Sequence, residues 1–205
     1  MGMLETKRNM MMNSVASGGL PDTYQQVEYI ESSGTQYIKT GILPSSKLNF
    51  EIKYYTNSEV ARDRFGCIFG SRVGSGTIDY EFSSFDTQGT LRWRTHSTSN
   101  NIKMQKQTVQ EASFMDYVFT NANGETTIIE EKELYLFGLN NNGSFQQGGS
   151  GCRIYYLRFY EDGTKINDFV PCYRIADNEI GMYDTVTNIF YTNAGTGTFT
   201  KGNDV

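Results

Sequence analysis

From Tyr24 to Tyr191 the chain is a succession of short runs rich in Tyr, Phe, Ile, Val and Thr. Turn residues interrupt them roughly every 8 to 15 positions, the pattern of an all-β sandwich or barrel. Strands are expected at 36–40, 48–55, 66–71, 77–82, 91–95, 114–120, 126–129, 134–139, 153–160 and 165–170, then a hairpin pairing 181–183 with 189–191. A helical fold lacks material: Ala and Leu together number 15, against 27 Tyr and Phe and 21 Gly, so pleated-sheet and turn residues dominate. Between Leu48 and Tyr54 apolar and polar residues alternate, which sends Leu48, Phe50, Ile52 and Tyr54 to the core. The run Leu134-Tyr135-Leu136-Phe137-Gly138-Leu139 is apolar throughout, as in a central strand covered on both faces or facing a concavity. Asn123-Gly124 and Asp162-Gly163 supply the positive φ angles of primed hairpin turns, favouring antiparallel neighbours over helical crossovers.

At 205 residues the chain suits one domain of the usual size, about 100 to 200 residues. Composition breaks near Gly18-Gly19, because five of the eight methionines lie in the first 12 residues and aromatic residues begin at Tyr24. Residues 1–19 are therefore expected as an N-terminal arm, 20–200 as the domain and 201–205 as a C-terminal tail. The arm is either a frayed end or a docking segment. Met10, Met11 and Met12 are unbranched and adaptable enough to seat in a groove on a neighbouring chain.

Eighteen basic against 23 acidic residues leave a net charge of −5, with no basic excess to release counterions from phosphate backbones, so no nucleic-acid partner is expected. The longest apolar runs fall far below the roughly 20 residues of a spanning helix, and no membrane partner is expected. The opening segment has too short an apolar stretch for a secretory signal, which argues against export by that route for the chain as given. Cys67, Cys152 and Cys172 form no CxxC pair, so no metal knuckle or cofactor is expected. Cys152 and Cys172 flank the hairpin at Asp162-Gly163. A three-residue loop would set them opposite each other, whereas a two-residue loop would shift them onto opposite faces. Disulfide and buried free thiols both remain open at this point.

The segment from Leu20-Pro21 through Val27-Glu28-Tyr29-Ile30-Glu31-Ser32-Ser33-Gly34-Thr35-Gln36-Tyr37-Ile38-Lys39-Thr40-Gly41 carries a resemblance. It is continued by Arg153-Ile154-Tyr155-Tyr156, Asp168-Phe169-Val170-Pro171-Cys172, Gly181-Met182-Tyr183-Asp184 and Phe190-Tyr191-Thr192-Asn193-Ala194-Gly195-Thr196-Gly197-Thr198-Phe199. Together these resemble the concanavalin A-like lectin/glucanase jelly rolls of LamG-like type, found in gut-bacterial surface proteins and in the structural proteins of their phages. The match spans about residues 20 to 200 and is loosest from about 57 to 130. It implies a two-sheet antiparallel jelly-roll sandwich used for carbohydrate or protein recognition.

A short chain with a Met-rich start looks, within that family, like a bacteriophage virion component: a capsid decoration, head fibre or tail protein at the particle surface. The arm would then dock on other virion proteins, and the domain would meet host-surface or mucosal glycans, in a homo-oligomer. The alternatives are a bacterial extracellular glycan-binding module or adhesin, and a β-glucanase-like hydrolase.

Glycosidases of this resemblance carry alternating carboxylates on one strand. Here Asp79 and Glu81 share a face about 6 to 7 Å apart, but Thr77 and Ser83 stand where a third would be, so no catalytic residue is assigned. His96 is the sole histidine, in an apparent loop with Ser97-Thr98-Ser99-Asn100-Asn101, which disfavours a nucleophilic triad. Related sandwiches hold calcium, yet no Asp-rich ligand series is present. Sugar recognition is better supplied. Period two in Leu91-Arg92-Trp93-Arg94-Thr95-His96 directs Arg92, Arg94 and His96 outward as hydrogen-bonding groups for acidic or hydroxylated glycans. Tyr80 is a candidate aromatic platform, and Asn140, Asn141 and Asn142 are candidate amide partners, unless they only form an Asn-Gly turn ending at Gly143.

Overall fold

A computed structural model of the chain describes residues 19–57, 66–73, 78–84, 90–95, 98–103, 107–115, 132–146, 148 and 150–205; for 73, 78, 79, 83, 84, 90–95 and 98–103 it describes the backbone alone. The described residues are strand and turn with no helix. None therefore contributes a helix long and apolar enough to cross a membrane.

The larger sheet is built on three long strands, β4 (Leu48–Tyr55), β13 (Cys152–Glu161) and β14 (Thr164–Arg174). The alternation in β4 holds, with Leu48, Phe50, Ile52 and Tyr54 all buried. Beyond β14 lie β15 (Glu179–Asp184) and β16 (Ile189–Thr192), and beyond β4 lies β9 (Gln110–Phe114). β13 and β14 part company beyond Leu157 and Phe169. There β2 (Ile30–Ser32) pairs with β13 and β1 (Tyr24–Gln26) with β14.

The second sheet runs β12 (Ser144–Gln146), β11 (Leu139–Asn141), β5 (Cys67–Val73), β6 (Ile78–Ser84), β7 (Thr90–Thr95) and β8 (Thr98–Lys103). β10 (Tyr135–Leu136) joins β5 to β3 (Ile38–Lys39). The two sheets pack through an aromatic core. Phe50 meets Phe69 at 4.8 Å between ring centres and 85° between planes, and Phe69 meets Phe159 at 5.5 Å and 84°. Edge-on rings at these spacings add favourable quadrupole contacts to burial.

Three sequence expectations change. The 134–139 run is buried throughout but is not one strand. Phe137 sits at φ 62°, the chain doubles back, and β10 runs antiparallel while β11 runs parallel to β5, both in register with Gly70. Gly138 permits the reversal, because a Cβ there would strike the Phe145 ring. Residues 98–101, read as part of a loop, belong to β8 (Thr98–Lys103), held by a full ladder to β7 that outweighs its polar composition. Residues 201–205, expected as a tail, are also built into the sheet. β17 (Thr200–Lys201) pairs with β2, Asp204 bridges Val27, and the Val205 N–H donates to Gln26 O at 3.1 Å. The expected strand at 114–120 meets β9 only at Phe114, and the strand at 126–129 and the Asn123-Gly124 turn lie outside the described residues.

The Asp162-Gly163 turn is a two-residue hairpin with φ 48° and 76°, as its chemistry requires. A bulge after Phe159 then shifts the register again, and pairing of β13 with β14 ends at Leu157 opposite Phe169. Cys152 consequently faces Ser32, and Cys172 faces Gln26 and Gly181. All three cysteines are free and buried. Burial pushes the Cys172 thiol up to about 12 and the Cys152 thiol higher still, so the nucleophilic thiolate is suppressed at neutral pH. A thiol-reactive dye at pH 8 is expected to label no cysteine in the native protein and all three in denaturant; one thiol counted after unfolding without reductant would reinstate a disulfide.

Candidate functional site

The residues singled out from sequence do not converge on one site. Tyr80 is 1% exposed, and its hydroxyl donates to Leu48 O at 2.8 Å, tying the two sheets together. A ring in the core offers no platform to a sugar, so that expectation is corrected. Asn140 is likewise buried. Its amide donates to Glu133 O at 2.8 Å and its carbonyl accepts the Gly143 N–H at 2.7 Å, closing the β11–β12 turn. Asn142 and Gly143 adopt φ 51° and 92°, the Asn-Gly turn that the sequence also allowed. Asn141 accepts from Arg72 Nε at 3.1 Å, which leaves Asn142 exposed at the turn.

Arg92 and Arg94 stand on β7, opposite Ser83 and Glu81 on β6, and their side chains lie outside the description, as does all of His96. Met10, Met11 and Met12 also lie outside the described residues. Glu81 is 2% exposed and sits opposite Gly70, not on an open acidic face. Among the described residues no group of His, Cys, Asp and Glu is placed to hold a metal ion.

A different constellation lies on the outer face of the larger sheet. Along β13 the inward residues are Cys152 and Ile154, then Leu157 and Phe159. The phase slips by one at Tyr155-Tyr156, where a bulge sets two residues against Lys53 of β4. A β-bulge absorbs the extra residue without turning the strand inside out, so both tyrosines stay half-exposed on the same face. With Glu28, Lys53 and Val109 they line an open groove of about 550 Å³, within the size range of small-ligand sites.

Cations and rings brace this face. The Arg153 guanidinium lies 4.5 Å from the Tyr29 ring centre and 4.6 Å from that of Tyr55, and its Nε donates to Glu31 at 2.7 Å. Partial burial opposes the Arg153 charge, but the Glu31 bond and carboxylate outweigh it and raise its pKa. Tyr29 in turn touches the Tyr155 ring at 5.2 Å. Arg158 covers Tyr156 at 4.5 Å and lies 3.6 Å from Glu51 and 3.2 Å from Asp168. The Tyr160 hydroxyl donates to Glu51 at 2.8 Å, and desolvation together with that bond pushes its phenol up to about 12. Arg153 held between two rings, and Tyr156 covered by one guanidinium, are braced before any ligand arrives and lose little freedom on binding.

Sequence reasoning passed over this face, although the slip from even to odd inward positions at Tyr155-Tyr156 was visible as a break in alternation. Comparison with protein-family models, curated proteins and solved structures returned no match.

Proposed function

We propose that the chain is a non-enzymatic structural protein of a bacteriophage particle, a capsid decoration, head fibre or tail component. Its concanavalin A-like jelly-roll domain recognises host-surface or mucosal glycans. The family and the particle come from the motif resemblance, and two packed sheets suit it. The observation that carries recognition is the groove in which Tyr155 and Tyr156 share one outer face beside Lys53 and Glu28. Ring faces flanked by hydrogen-bonding groups are what an amphipathic pyranose needs. The hydrolase reading loses support, since Glu81 is buried and no third carboxylate accompanies Asp79. The Met-rich arm, with Met10, Met11 and Met12, is assigned to docking on other virion proteins, and the assembled form to a homo-oligomer.

Antibody raised against the purified chain is expected to label phage particles, and an array of bacterial-surface and mucin glycans is expected to retain the protein. Labelling of the bacterial envelope alone would overturn the virion assignment. An array that a folded sample leaves blank would overturn glycan recognition.

A further inference from the structure

We infer that the Tyr155–Tyr156 groove takes a short neutral saccharide, stacked on the tyrosines and hydrogen-bonded by Lys53 and Glu28, rather than an acidic glycan. This rests on the proposed glycan recognition and names its ligand class. The charge pattern decides between the two. Among the described residues, every cation at the groove or bracing it has a carboxylate partner: Lys53 with Glu111 at 3.4 Å, Arg153 with Glu31 at 2.7 Å, and Arg158 with Asp168 at 3.2 Å. An anionic sugar would have to displace one of these carboxylates, and it would meet Glu28 on the groove wall. A neutral polyol displaces nothing. The Lys53 ammonium has three donors, and its Glu111 contact does not occupy them all. Glu28 uses Oε2 for the Asn203 backbone and side-chain amides, leaving carboxylate lone pairs for a sugar hydroxyl.

Size argues the same way against a protein partner. Specific protein interfaces bury about 800 Å² per side, whereas among the described residues five line this groove. Val109, 42% exposed at the rim, supplies an apolar contact for the C–H face of a ring. Arg153 is a positioning residue. Clamped between Tyr29 and Tyr55, it fixes Tyr29, which backs Tyr155.

The test is NMR titration of the full chain with cellobiose, lactose and methyl glucoside as neutral probes, and with sialyllactose and digalacturonate as acidic ones. Neutral probes are expected to bind. Tyr155→Ala and Tyr156→Ala should each weaken them about tenfold, Tyr155→Phe should leave them unchanged, and Arg153→Lys should give an intermediate loss, with native circular dichroism throughout. Stronger binding of the acidic probes would overturn the neutral assignment while leaving glycan recognition standing. Neutral binding indifferent to both alanine variants would overturn this site but not the function. No binding of either class by folded protein would overturn both.

Discussion

Asp184→Ala is expected to destabilise the domain by about 3 to 5 kcal/mol, the range for removing a buried charged hub and orphaning its donors. Asp184 is 0% exposed. Its Oδ1 accepts the backbone N–H of Asp168 at 2.8 Å and of Val186 at 3.0 Å, and its Oδ2 accepts Asn167 Nδ2 at 2.6 Å and Thr187 Oγ at 2.7 Å. One carboxylate thus closes the β15–β16 turn and pins it to β14. Truncation strands four donors, of which Asn167 and Asp168 are buried residues. Asp184→Asn should lose less, because it keeps one acceptor oxygen while turning an amide toward Asn167. Urea unfolding with an unchanged m-value would report the difference; a loss below about 1 kcal/mol for the alanine variant would refute the hub.

Phe50→Ala is expected to cost about 3 to 5 kcal/mol by lost transfer energy and a residual cavity. Phe50 is fully buried and touches rings from both sheets, Phe69 at 4.8 Å, Phe82 at 5.3 Å and Phe114 at 5.0 Å. These three rings belong to three strands, β5, β6 and β9, so they cannot close together over the gap without shifting a ladder. Thermal unfolding should fall accordingly, whereas Phe50→Leu, which refills much of the volume, should recover most of the loss. Equal melting of Phe50→Ala and wild type would show that the sheets do not pack through this ring.

Much of the fold was legible because it is written in local chemistry. β4 starts and ends where alternation places it, the Asp162-Gly163 turn has the φ values its residues favour, and β13 and β14 fall where apolar positions recur. β8 and β9 were not legible. Their polar residues carry little strand propensity, and they are strands because β7 and β4 present open edges to them. Tyr80 and Asn140 misled for a related reason: a tyrosine and an asparagine read alike in sequence whether they face solvent or a buried carbonyl such as Leu48 O or Glu133 O.

The sequence by itself determined an all-β chain, its hairpin turns and the inward face of its long strands, since each depends on residues within a few positions of one another. Tertiary structure alone decided which tyrosines gather into a groove. Tyr29, Lys53, Val109 and Tyr155 come from segments far apart in the chain, brought together by the pairings of β13 with β2 and β4 and of β4 with β9. Turn length and alternation set register within a hairpin, but which strands distant in sequence become neighbours is decided by long-range hydrogen bonds and burial.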